Sequence, residues 1–302
     1  MSFEVQILGS SSALPTIKRH TSAQVVLYNE TPYLVDCGEG MQIRLRECAI
    51  AFGRLKNIFI SHIHGDHIFG LFGLMSTFSM LGRKQDLNIF CPEKLESICN
   101  NLFGALDHEL GFKVIFHYLD DSGKKLIYSD KNLEVFSFPL VHTKPTWGFL
   151  FKEKDKERNI RKECIERYNL SIAEIVKLKR GEDVELDSGI VVRSDDVTIL
   201  PPPPKSYAYC SDTLPLKRLS DFISGVDLLY HEATFMEENA ELAKITCHTT
   251  ARQAAELAKY VSAKKLLLGH FSTRYPSTEI MNEARKVFPD AIESHDCLRI
   301  FV

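Results

Sequence analysis

Residues 62–67 read His-Ile-His-Gly-Asp-His, three imidazoles and one carboxylate within six positions. The apolar run LKNIFI stands immediately before this set, and the apolar stretch LFGLMSTFSMLG follows it with helical character. A strand that runs into such a cluster and then into a helix puts the polar groups on the connection between them, where functional side chains collect. Imidazole and carboxylate donors at this density suit zinc. In an extended loop His62 and His64 point the same way, whereas Asp66 and His67 on the following turn can face a second ion. The spacing therefore favours two metals over one.

The rest of the chain has to supply a body for that connection. Its 302 residues are 44% hydrophobic and 25% charged, the balance of a globular protein. A formal net charge of -3 excludes non-specific attraction to nucleic acid by bulk charge, so any phosphate binding must come from local placement. The eight cysteines form no CxxC pair, and a reducing cytoplasm is the simple reading. The N-terminus lacks the pattern of a signal peptide, and no apolar stretch has the length a membrane-spanning helix needs.

Short strands rich in Val, Ile and Leu are expected at 3–8, 24–28, 33–36, 55–60, 87–91, 113–118, 133–138, 147–151, 206–210, 226–230, 265–269 and 297–302. Helices are expected near 41–51, 93–104, 236–244, 249–261 and 277–287. The alternation predicts an α/β or α+β fold. From 152 the composition changes: ten Lys and Arg stand against six Asp and Glu up to residue 181, and Pro201–Pro204 close the segment. A single domain over 1–302, with an inserted arm at about 152–200, accounts for this better than two domains.

Three further candidate metal donors lie at expected strand ends: His142 after FSFPLV, Asp212 in AYCSDT and His270 in LLLGHFSTRY. HIHGDH matches the HxHxDH signature of metallo-β-lactamase-fold hydrolases. The strings LGSSSALPTIKRHTS, LVDCGEGMQ, ISHIHGDHIFGLFGL, AYCSDT, LLYHEATF, CHTTARQAAELA and LLLGHFSTRYP resemble the successive blocks of the ribonuclease Z family, in that family's order.

The resemblance implies a metallo-β-lactamase αβ/βα sandwich with a flexible arm. It implies two zinc ions, one held by His62, His64 and His142, the other by Asp66, His67 and His270, with Asp212 bridging. Asp66 would also serve as general base, and His248, oriented by Glu232, as the proton donor to the leaving oxygen. The implied activity is endonucleolytic removal of the 3′ trailer from precursor tRNA, with a related phosphodiesterase or 3′ exoribonuclease as the alternative.

By the same resemblance the partner is precursor tRNA and the assembly a homodimer, while the cysteine usage and the lack of a long apolar stretch point to a cytoplasmic location with no membrane attachment. Arg19, Lys177, Lys179, Arg180 and Arg274 are the candidate substrate-binding residues. The chain departs from the family pattern at Ile17 and His20, at Met41, and at Ile172-Ala173, where the family's arm usually has Gly-Pro. Asp36 is expected to support the metal loop by hydrogen bonding.

Overall fold

The computed structural model describes residues 2–302. Two compact units divide the chain, one formed by residues up to Lys152 together with Lys205–Val302, the other by Glu153–Pro204. The first unit is built on two seven-stranded sheets. One runs Arg299–Phe301, Phe3–Gly9, Ala23–Tyr28, Thr31–Val35, Asn57–Phe59, Leu87–Cys91, Val114–Tyr118. The other runs Ile292–Glu293, Lys265–Gly269, Leu228–Glu232, Ser206–Cys210, Trp147–Glu153, Leu133–Pro139, Lys125–Ser129.

Alternation along the strands explains why the sheets stack. Val26, Val35, Phe59 and Phe90 of the first sheet pack with Phe149, Phe151, Tyr207, Tyr209 and Tyr230 of the second, forming the core between them. Their chain neighbours Val25, Leu34, Ile58 and Ile89 point to the opposite face, where they meet Met41, Leu45, Leu71, Leu74 and Phe78 of the helices Met41–Glu47 and Gly65–Met80. On the outer face of the second sheet Leu150, Ala208, Leu229 and Leu268 pack against Ala251, Ala254, Ala255 and Ala258 of the helix Ala251–Tyr260 and against Ile280 and Met281. Strands apolar on both faces read as unbroken hydrophobic runs because each face has its own cover. The result is an αβ/βα sandwich.

Most expected elements are present with shifted ends, and the exceptions are informative. Lys125–Ser129 and Ile292–Glu293 are edge strands that the apolar pattern does not announce. The helix after the histidine cluster begins at Gly65, earlier than its apolar stretch suggests, so Asp66 and His67 belong to its first turn rather than to a loop.

The second unit is more ordered than its charged composition suggests. Helices Lys162–Tyr168 and Ile172–Lys179 and the turn between them pack Cys164, Leu178 and Leu170 with Val184 and Val192 of a short strand pair and Val197 of a helical turn. Ser171 and Glu174 form a reciprocal capping box that starts the second helix. Ile172 and Ala173 are therefore the first helical residues of a capped helix.

Candidate metal centre

Six of the seven candidate metal donors come from loops or helix starts at the ends of strands, and the seventh, His67, follows in the same first turn as Asp66. His62 and His64 leave the strand Asn57–Phe59, His142 follows Leu133–Pro139, Asp212 follows Ser206–Cys210, and His270 follows Lys265–Gly269. His62, His64, His142 and Asp212 present donor atoms within 4.8 Å of one another, as do Asp66, His67 and His270.

Asp212 faces both groups with different oxygens. Its Oδ2 lies 3.6 Å from His62 Nε2 and 3.7 Å from His142 Nε2, while its Oδ1 lies 3.5 Å from His67 Nε2 and 3.2 Å from His270 Nε2. Asp66 Oδ2 completes the second group at 3.5 Å from His67 Nε2 and 3.4 Å from His270 Nε2.

These residues fit a metal-binding site. His67 Nε2 and Asp212 Oδ1 are buried without a hydrogen-bond partner, a costly state for polar atoms unless a further group satisfies them. Burial lowers the pKa values of His62, His64 and His142 and so favours neutral imidazoles, the form that ligates metal. For His67 burial acts in the same direction, but Asp66, Asp212 and Asp36 outweigh it and raise the pKa. That is the response of an imidazole amid carboxylates, and a cation would relieve it.

The supporting shell is dense. His67 Nδ1 is 2.8 Å from Asp36 Oδ2, and Asp36 also accepts from Ser61 N, Ser61 Oγ and Tyr209 Oη. The position of Asp36 against the metal loop agrees with its expected supporting role. His142 Nδ1 lies 2.9 Å from the Cys247 carbonyl, and His270 Nδ1 lies 2.8 Å from Thr234 Oγ1. Such bonds fix which ring nitrogen is left for a ligand. Asp36, Cys247 and His270 all have positive φ, at 55°, 56° and 58°. Left-handed backbone at three non-glycine residues around one site is strain that the surrounding bonds hold in place.

Beside the donors sits a separate pair. His248 Nδ1 is 2.9 Å from Glu232 Oε1, and Glu232 is fixed by Thr213 N on that oxygen and by Thr234 N and Oγ1 on the other. Burial disfavours the charged His248, yet Glu232 prevails and pushes its pKa up to about 9. Thr250 and Gln253 cap the helix that begins three residues after His248, which anchors this segment. Ser61, Tyr209, Thr213 and Thr234 carry no sequence signal of their own. Only the strand-end positions of Asp36 and Glu232 could have pointed to such partners.

A cavity of about 600 Å³ opens onto His64, Asp66, His142, Asp212, His248 and His270. Arg274 lines it, with its guanidinium 5.5 Å from the Phe235 ring centroid. Arg19 is committed elsewhere: it pairs with Glu293 at 2.6 Å, donates to Ser10 Oγ and the Ser294 carbonyl, and stacks on Phe271. It braces a wall more readily than it meets a phosphate. Lys177, Lys179 and Arg180 lie at the end of the helix Ile172–Lys179 in the second unit, where Lys179 pairs with Glu157 at 3.2 Å.

The sandwich and the His/Asp cluster at its strand ends define a metallo-β-lactamase-fold protein with the apparatus of a metal-dependent hydrolase. Residues 3–157 match the family described as anti-Pycsar protein Apyc1. Over 301 residues, covering 99% of this chain and 97% of the relative, the sequence is 44% identical to ribonuclease Z of Phocaeicola vulgatus. It is 43% identical over 299 residues to ribonuclease Z of Porphyromonas gingivalis, covering 99% and 98%.

The human tRNase Z short form superposes with a TM-score of 0.71 at 26% identity, covering 98% of each chain. The metallo-beta-lactamase fold protein YhfI of Bacillus subtilis has the same TM-score at 16% identity over 100% of both chains, a likeness of fold alone. The chain belongs to the ribonuclease Z family. Its activity is that of a tRNA 3′-processing endoribonuclease.

Proposed function

We propose that His62, His64 and His142 hold one zinc ion, that Asp66, His67 and His270 hold a second, and that Asp212 bridges the two. The observation that carries this reading is the division of the Asp212 carboxylate, one oxygen toward each histidine group, with Oδ1 otherwise unsatisfied in a buried position. Bound there, two cations would supply Lewis acidity toward a phosphodiester and make water a better nucleophile near neutral pH.

The chain's own residues handle the protons. Asp66 directs Oδ2 at the second histidine group, and its other oxygen takes the proton of the attacking water. Glu232 accepts from His248 Nδ1, which leaves the opposite ring nitrogen to protonate the departing ribose 3′-oxygen. Arg274 and Phe235 line the cavity as a cation and a flat apolar surface, a pairing suited to a phosphate and a base.

The substrate is precursor tRNA, cut after the discriminator nucleotide to leave a 3′-hydroxyl on the tRNA. The second unit grips the RNA through local basic groups, Lys177 and Arg180 among them. A homodimer, supported by the family resemblance, and a cytoplasmic setting, supported by the cysteine usage, complete the reading. Purified protein given a precursor tRNA labelled at its 3′ end should make one cut after the discriminator and release an intact labelled trailer. Release of mononucleotides from the 3′ end would replace this reading with an exoribonuclease.

A further inference from the structure

Cys48 and Cys297 are 249 positions apart in the chain, yet their sulfurs stand 3.1 Å from each other, with the Cys48 thiol donating to Cys297 Sγ. Cys48 caps the C-terminus of the helix Met41–Glu47, and Cys297 occupies the turn before the strand Arg299–Phe301. Cys297 is exposed and Cys48 partly so, whereas Cys37, Cys91, Cys99, Cys164 and Cys210 are buried. The pair is thus the place where two thiols meet within reach of a solute. Backbone bonds hold both ends, from Cys48 N to the Arg44 carbonyl and from Cys297 N to the Ile7 carbonyl.

We propose that Cys48 and Cys297 are a redox-modification site, a dithiol that small-molecule disulfides convert reversibly to an intramolecular disulfide. Cys297, exposed and on the accepting side of the hydrogen bond, attacks one sulfur of the oxidant and displaces its thiolate. Cys48 then attacks Cys297 Sγ, forms the internal bond and releases the second oxidant thiol. Two protein thiols lose two protons and two electrons, and one small disulfide becomes two small thiols. Burial and the bond to Cys297 push the Cys48 thiol up to about 12, which accords with its acting second.

The location gives the modification a target. Arg44, one turn before Cys48, donates through Nε to His20 Nδ1 and lies 3.4 Å from Asp296 Oδ2, next to Cys297. Asp296 also accepts from Ser10 Oγ and His20 N, at the two ends of the segment that carries Ser12 and Ala13 into the wall of the metal-site cavity. A bond between the two sulfurs would tie together the helix end and the turn that anchor this wall.

The whole protein, incubated with glutathione disulfide and mapped without reduction, should become two hydrogens lighter and yield one crosslinked peptide pair joining Cys48 to Cys297. Dithiothreitol should reverse both changes. Cys48→Ser should instead trap a glutathione adduct on Cys297, and Cys297→Ser should form no crosslink. Wild-type protein that stays fully reduced, or that carries separate adducts on the two cysteines, would overturn the proposal. So would an adduct on Cys48 in Cys297→Ser formed as fast as the wild-type crosslink, since it would put the first attack on the wrong sulfur.

Discussion

Glu232 Oε1 lies 2.9 Å from His248 Nδ1, and both Glu232 oxygens are pinned by Thr213 and Thr234. The carboxylate therefore cannot rotate away from the imidazole. His248→Ala removes the proposed proton donor but none of the seven proposed metal donors. A nitrophenyl phosphodiester leaves without protonation, whereas a ribose 3′-oxygen does not. We expect kcat/KM on precursor tRNA to fall by ~10²–10⁴-fold, with a much smaller loss on the activated ester and unchanged metal content. Equal losses on both substrates would make His248 a structural element.

Tyr209→Phe tests the support beneath the metal loop. Tyr209 Oη donates to Asp36 Oδ2 at 2.7 Å in a fully buried position, and the same oxygen meets His67 Nδ1. Losing one hydrogen bond to a buried carboxylate should cost about 1–3 kcal/mol in chemical unfolding. Metal retention should weaken as well, by ~10–100-fold in a chelator competition. Loss of stability with unaltered metal affinity would confine Tyr209 to the core.

Gly70→Ala should disturb the helix start that carries Asp66 and His67. Gly70 N donates to the Cys37 carbonyl at 2.8 Å, and a Cβ at Gly70 would fall 2.2 Å from the Gly38 carbonyl oxygen. Backbone must move to admit the methyl group. A stability loss of about 1–3 kcal/mol is expected, together with reduced activity on every phosphodiester. A variant with wild-type melting and turnover would show that the helix can shift without displacing these two side chains.

Removal of Glu153–Pro204 tests whether docking and chemistry reside in different parts of the chain. Lys152 lies opposite Ser206 in the antiparallel pair of strands, so a short glycine-containing turn can close the gap. The excised unit has its own apolar cluster and contributes none of the seven donors. Hydrolysis of the activated diester should persist within a few-fold, while KM for precursor tRNA rises about tenfold or more at physiological salt. A comparable loss on both substrates would make the segment part of the catalytic body.

Much of this was legible in the residues. HIHGDH and the strand-end positions of His142, Asp212 and His270 picked out the candidate donors that the fold brings together, because metal binding needs particular side chains at particular turns. Strands covered on both faces announced themselves as apolar runs such as Val25–Leu27 and Leu266–Leu268. Edge strands such as Lys125–Ser129 escaped notice because half-exposed residues carry little pattern. The order within Glu153–Pro204 escaped for a related reason: its core is six buried side chains spread over 34 positions, from Cys164 to Val197, among many charges. Arg19 matched a motif position, yet its partners Glu293 and Ser294 are more than 270 residues away, a proximity only the folded chain creates.

The most direct measurement of the central claim is the metal-to-protein ratio of fully active enzyme, taken by elemental analysis beside that of Asp212→Ala. The donor arrangement calls for two zinc-class ions per chain in the wild type, and for loss of metal and activity together when the carboxylate that faces both histidine groups is removed. One ion or none in fully active protein, or a fully active Asp212→Ala, would contradict it.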